Sequence, residues 1–352
     1  MRFYLIISTL AVMLIGCSRT PQYTTIDGEM LGTTFHIVAQ TDTPASEIYA
    51  EVMRIDAEAK ASMSIFDEHS LLSRINAGET DTLDIHLLRN IAVAARVHRT
   101  SGSAYDITVK PLTDAYGFAA KDRTRKPNID SLVEFVGFDK FRVAGKRIIK
   151  SDPRVQLDLN SLAKGYTVDL VADMLERQGV QNYIVEIGGE IRTRGVNAAG
   201  AEWRIGVDSP FEGNNSPGAY RQHIVRLNDR ALATSGNYRR YYVDERGEKI
   251  VHTINPKTGR SVTSRLLSAT VIANRCVEAD ALATMFMAMG DEQAIALAKS
   301  MAGEIEVYFI LAKESGTVGK QGTQGTPSES SAQETQGDLD KPEYETFSTL
   351  KK

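Results

Sequence analysis

Hydrophobic spacing divides the chain into elements of two periods. Residues 23–40 read as strand, turn, strand, with Gly28 and Gly32 where the backbone bends or is closely approached. Thr43-Pro44 opens a helix with Ile48, Val52 and Ile55 on its apolar face, fading near Ala61. Residues 63–76 have loop composition. A second amphipathic helix covers 86–100, with Leu87, Ile91, Ala95 and His98 on one side and Gly102 as its stop. Residues 102–118 return to loop composition, dense in Gly, Ser, Asp, Thr and Pro, with rings at Tyr105, Tyr116 and Phe118. Asp130 caps a short helix to Val136, and 141–150 form a hairpin turning at Ala144-Gly145. Val155, Leu157 and Leu159 alternate with Gln156, Asp158 and Asn160, the pattern of a half-buried strand. The period then changes: Ala163, Tyr166, Leu170, Val171 and Met174 follow helical spacing until Gly179.

Further strands are expected at 182–187 (broken by Gly188-Gly189), 203–207, 223–227, 241–243 and 267–272. The helix at 278–289 is apolar nearly all round and should be buried. Asp291 caps a helix reaching Ala302, and 305–312 form a strong strand. Residues 315–340 are low in complexity and almost free of apolar side chains, so disorder is expected there. Alternation resumes at 344–350, beyond this low-complexity insertion.

With 352 residues, 42% of them hydrophobic, the chain can bury a substantial core. The net charge of −4 gives no sign of a nucleic-acid partner. Of its two cysteines, Cys17 closes an N-terminal segment with Arg2 at its start and an apolar run at 3–15, a secretory signal. Leu14-Ile15-Gly16-Cys17 resembles a bacterial lipobox, with Ile15 bulkier than the usual small residue. That resemblance implies cleavage before Cys17, a lipid on its sulfur, and an exported protein held at the periplasmic side of a membrane. Cys276 is then the lone thiol of the body, and no intramolecular disulfide forms.

Two places concentrate chemistry. Asp158, Asn160, Ser161 and Lys164 crowd the turn that opens the helix at 163. Free N–H groups and the positive end of the helix suit a phosphate there, and the carboxylate suits a hard cation or a ribose hydroxyl. An ordinary strand-to-helix junction with a capping Asn and a solvated Lys would look the same. Asp280 and Thr284 lie four apart, on one face of an apolar helix, where a carboxylate needs a partner. That partner is a hard cation, or else a buried Arg or N–H with Thr284 bonding back to the helix. Nucleophile elbow, H-E-x-x-H, Walker A and G-x-G-x-x-G patterns are all missing from the sequence.

LDLNSLAKGYTVD resembles the D-x-G-x-x-A-K-G-y-x-x-D core of the ApbE-like FAD:protein FMN transferases. GEMLGTTFHI, SIFDEHSLLSRIN, GSAYDITVKPLTDAYGF, EIGGEIRTRG, ATSGNYRRYY, HTINPKTG and EADALATMFMAMG fall in that family's order. The resemblance implies an α+β fold: a single large domain over 18–352 with a mixed, mostly antiparallel sheet and packed helices, not a Rossmann unit. It implies an enzyme that moves FMN from FAD to a Thr or Ser hydroxyl of an acceptor protein, such as a membrane redox-complex subunit, releasing AMP. Non-catalytic FAD binding and Mg²⁺-dependent FAD hydrolysis are the alternatives. Asp280, Thr284 and the Ser161 carbonyl would hold Mg²⁺, and Lys164 would face the diphosphate. Leu31, Phe66, Ala104, Tyr105, Asp106, Asp158, His252 and Ile254 would contact the FAD. Asp280 and His252 are the candidates for the base. Two positions depart from the family: Leu31 stands where Met is usual, and Asn255 where H-x-I-D-P has Asp.

Overall fold

The first two strands, β1 (Tyr23–Met30) and β2 (Thr33–Gln40), pair antiparallel about a tight turn in which Leu31 and Gly32 both have positive φ. This computed structural model describes residues 22–118, 128–210, 221–238, 241–313 and 344–350. Cys17, the residues before it that resemble a lipobox, and the segment 315–340 therefore lie outside the described residues.

α1 (Ala45–Met63) follows, with Ile48, Val52 and Ile55 buried as their spacing requires. Its N-cap is Pro44, one residue later than the Thr43 start. Residues 63–76, expected as loop, contain α2 (Leu71–Ala77), opened by the Ser70 hydroxyl accepting from Ser73 N–H and closed by left-handed Gly78. α3 (Ile85–Thr100) is capped by Asp84. The loop expected over 102–118 ends in α4 (Lys110–Ala115). α5 (Ile129–Val133) is capped by Asn128, not Asp130. A 3₁₀ turn leads into the hairpin of β3 (Phe141–Ala144) and β4 (Arg147–Lys150).

Val155, Leu157 and Leu159 are fully buried, yet residues 155–159 form no strand. The Asn76 side chain serves as their ladder. Its amide donates to the Leu157 carbonyl (2.8 Å), its oxygen accepts from Leu157 N–H (2.8 Å), and Asp158 N–H donates to the Ile107 carbonyl (2.7 Å). Extended backbone satisfied by a side chain keeps strand periodicity without a strand partner.

α6 (Ala163–Arg177) ends at left-handed Gly179. The chain continues through β5 (Tyr183–Ile187), β6 (Glu190–Arg194), β7 (Trp203–Asp208), β8 (Arg221–Leu227), β9 (Ala231–Gly236), β10 (Tyr241–Val243), β11 (Lys249–Val251) and β12 (Leu266–Ala273). The buried helix α7 (Cys276–Met289), α8 (Asp291–Ser300), β13 (Glu306–Ala312) and β14 (Tyr344–Ser348) complete it. Gly290 rather than Asp291 is the N-cap of α8. β6 and β9 carry too many polar or small residues for alternation to reveal them, and β11 is only three residues long.

Eight strands make one antiparallel sheet in the order β1-β2-β5-β6-β9-β12-β13-β14. The expected α+β architecture with a large antiparallel sheet is present. One face carries the helices: α1 and α6 cover β1, β2 and β5, while α3, α7 and α8 cover β9, β12 and β13. On the other face Trp203, Ile205 and Val207 of the separate β7–β8 hairpin pack on Ile191, Ile272, Tyr308 and Ile310. β12 is sandwiched between these layers, which is why all its residues but Leu267 are buried.

Candidate active site

α6 and α7 meet where Gly165 has no side chain. A Cβ there would stand 2.4 Å from the Cys276 carbonyl oxygen and 2.8 Å from the Asp280 Cβ. Two reciprocal links join the helices. Gly165 N–H donates to Asp280 Oδ2 (2.9 Å), and Asp169 of α6 accepts from the N–H groups of Cys276 (3.1 Å) and Val277 (3.0 Å). Asp169 thus caps α7, which has no side-chain cap of its own. Arg192 and Arg275 pair with this buried carboxylate. Burial still lifts its pKa above the ordinary value, against Arg275, the two N–H groups and Arg192.

Asp280 is 4% exposed, and its carboxyl is pushed up to about 8, first by burial and then by the charge of Glu190. Lys164 and the Gly165 N–H pull the other way. Lys164 Nζ is 2.6 Å from Glu190 Oε2. Burial lowers the Lys164 pKa, but Glu190 and Asp280 outweigh it and the ammonium is held above its usual range. Glu190 itself is 3% exposed and lifted by burial despite Lys164. Two buried carboxylates thus share one ammonium.

These residues open on a cleft of about 1050 Å³. Asp280, Thr284, Ser161 and Lys164 all line it, so the two chemistry-bearing stretches do meet. The Thr284 hydroxyl is 3.2 Å from that of Ser235 on β9. The Ser161 hydroxyl is fixed by the buried Tyr105 phenol (2.8 Å), whose own pKa burial drives upward. Asp106 accepts from the N–H and hydroxyl of Thr108 and from Phe138 N–H, and His98 stands 3.5 Å away; burial lifts its pKa against these contacts. Asp158 accepts from Asn160 N–H (2.9 Å) and the Thr113 hydroxyl (3.3 Å), and burial lifts it as well.

Ala104, Tyr105, Asp106, Asp158, His252 and Ile254 line the same cleft, with the Phe118 ring edge-on to His252 at 6.2 Å. Leu31 and Phe66 do not line it. Phe66 is 67% exposed on the loop before α2, and Leu31 packs on the helix side, its N–H donating to Asp56. Asn255 acts through its oxygen, which accepts from Lys257 and Thr258 N–H groups to shape the turn after His252; no charge is needed for that. Glu190 and Asp169 had no assigned role in the sequence, although both fall within the quoted blocks.

Oxygen donors of one carboxylate, one hydroxyl and one carbonyl are the set a hard divalent cation takes, with water or phosphate completing it. The excess of buried carboxylate over ammonium fits such an ion. Among the described residues no cluster of three or more His, Cys, Asp or Glu forms an all-protein metal cage.

A family model described as the ApbE family matches residues 31–309. An FAD:protein FMN transferase of Vibrio cholerae is 34% identical over 326 residues, covering 90% of this chain and 96% of that protein. One of Haemophilus influenzae is 34% identical over 328 residues, covering 88% and 93%. Among solved structures, the flavin transferase ApbE from Vibrio cholerae has a TM-score of 0.74 at 33% identity, over 83% of this chain and 94% of that one. The apo flavinyl transferase ApbE of Pseudomonas stutzeri also has a TM-score of 0.74, at 31% identity over 84% and 93%.

Proposed function

The chain belongs to the ApbE family of flavin transferases, and from that premise we propose that it transfers FMN from FAD to a Thr or Ser hydroxyl of an acceptor protein, with Mg²⁺. One observation carries the reading. Lys164, at the start of α6, is paired with the buried Glu190 at a cleft that also gathers Ser161, Asp280 and Thr284.

The hydroxyl oxygen of the acceptor bonds to the phosphorus on the flavin side of the diphosphate. The bond from that phosphorus to the bridging oxygen breaks, and AMP leaves with the electron pair. The hydroxyl proton passes to a base, Asp280 or His252, and then to solvent. Lys164 holds the diphosphate at the helix N-terminus, where positioning and charge neutralisation account for most of the catalysis. Asp280, Thr284 and the Ser161 carbonyl would hold Mg²⁺, which when bound neutralises diphosphate charge. Tyr105 keeps Ser161 in place, and Asp106, Asp158, Ala104 and Ile254 contact the FAD.

The test incubates the Cys17-truncated protein with FAD, Mg²⁺ and a candidate acceptor domain. A fluorescent acceptor band on a denaturing gel and equimolar AMP support transfer. Free FMN beside unlabelled acceptor means hydrolysis, and intact FAD means binding alone. We further propose export and lipid anchoring through Cys17, so Cys17→Ser should leave the precursor uncleaved and unlabelled by fatty acid. Normal lipid labelling of that variant would end the anchor reading.

A further inference from the structure

In the reaction just proposed Lys164 meets the diphosphate, yet its charge is already matched. Its ammonium stands 2.6 Å from Glu190 Oε2, and Lys164 is the one cationic partner of Glu190 among the described residues. The two side chains differ in access, that of Lys164 being 37% exposed and that of Glu190 4%. The ammonium therefore faces the cleft with the carboxylate behind it. Among the described residues the cleft holds one other Lys or Arg, Arg204, while Asp106, Asp158 and Glu186 add carboxylates.

Glu190 is set in place by the backbone. Gly188 and Gly189, with φ of 61° and 100°, form the two-residue turn between β5 and β6, and Ile187 pairs with Glu190 across it. A Cβ on Gly188 would stand 2.8 Å from Thr33 Cγ2, so the turn is packed against the start of β2. Glu190 opens β6 directly after that turn, and strand pairing rather than a loop fixes its position.

A diphosphate approaching Lys164 thus meets an ion pair rather than a cation. One unit charge about 6 Å away, at an effective dielectric of about 20, alters a binding constant by roughly a hundredfold. We propose that Glu190 couples the binding of the diphosphate to that of a divalent cation. By cancelling the charge of Lys164 it leaves FAD weakly held until a cation joins at Asp280, Thr284 and the Ser161 carbonyl. Such coupling is reciprocal, so FAD tightens the cation by the same factor. The site is then not filled unproductively by FAD alone. This inference rests on the transferase reading and deepens it.

In the test FAD is titrated into the whole chain and into its Glu190→Gln and Glu190→Asp variants, once in EDTA and once in Mg²⁺. Flavin fluorescence gives the dissociation constants. In the unaltered protein Mg²⁺ should tighten FAD by at least about tenfold. Glu190→Gln keeps the shape and drops the charge, so it should tighten FAD in EDTA by about tenfold or more and shrink the effect of Mg²⁺ by the same factor. Glu190→Asp keeps the charge and should retain the Mg²⁺ dependence. A merely structural role for Glu190 would instead weaken FAD in both buffers alike. The proposal is overturned if folded Glu190→Gln binds FAD in EDTA no more tightly than the unaltered protein does. It is overturned equally if the unaltered protein has one affinity for FAD in both buffers, a result that needs no variant. If that protein binds FAD in neither buffer, the transferase reading has failed instead.

Discussion

Gly165→Ala tests whether the α6–α7 contact sets the position of Asp280. The added methyl would meet the Cys276 carbonyl oxygen at 2.4 Å and its carbon at 2.7 Å, both backbone atoms that no rotamer change can move. Overpacking of that kind costs about 1–3 kcal/mol. Separating the helices also breaks the bond from Gly165 N–H to the Asp280 carboxylate, worth about 1.5–3 kcal/mol for a charged acceptor. Alanine returns about 0.5–1 kcal/mol of helix propensity. The net loss is about 2–5 kcal/mol, a fall in melting temperature on the order of 10 °C for a domain of this size. Transfer should fall with it, because Asp280 loses the Gly165 N–H that holds its carboxyl in the cleft. Gly179→Ala is the control: nothing lies within 4 Å of its Cβ position and φ is +85°, so it costs about 1–2 kcal/mol of backbone strain and leaves the transfer rate alone. Thermal unfolding and acceptor labelling against Mg²⁺ measure both. If Gly165→Ala melts within a degree of wild type with an unchanged Mg²⁺ response, the helix contact does not set the site.

Asp280→Ala should lower transfer by at least about a hundredfold, since the cation it would hold, whose charge offsets that of the diphosphate, is lost with it. Thr284→Val should cost about tenfold or less, because water can occupy one position around the ion. Near-wild-type labelling by Asp280→Ala at low Mg²⁺ would end that assignment. Burial lifts Asp158 above its ordinary 3.8, so just above that value the folded chain holds a proton that the unfolded chain has released. Stability must then fall as pH rises through the window between the two pKa values, and Asp158→Asn should flatten this fall. Parallel melting curves for the two proteins from about pH 4 to about pH 7 would contradict it. Replacing 315–340 by a short Gly-Ser turn should leave melting temperature and labelling nearly unchanged, because Ala312 of β13 already pairs with Tyr344 of β14. A large loss of either would show that the replaced segment packs or binds the acceptor.

Local pattern alone determined α6, which carries Lys164, and α1 packed beside it. The 3.6-residue spacing of Ile48, Val52 and Ile55, and of Tyr166, Leu170 and Met174, reports which face must leave water, and α1 and α6 bury those faces. Lys164 and Asp280 stood out as charges beside apolar runs, but an ordinary helix junction or a buried Arg would explain them equally, and the family resemblance is what marked them as site residues. What sequence could not supply was the partner. Val155, Leu157 and Leu159 have strand periodicity, yet only the fold brings Asn76 alongside to replace a neighbouring strand. β6 and β9 are central strands whose burial comes from layers on both sides, so their short polar sequences carry no period to read. Glu190 becomes the counter-ion of Lys164, and Asp169 the cap of α7, only when β6, α6 and α7 converge. Periodicity records a burial demand that each segment makes by itself, whereas a buried charge is matched by whatever side chain the tertiary packing sets beside it.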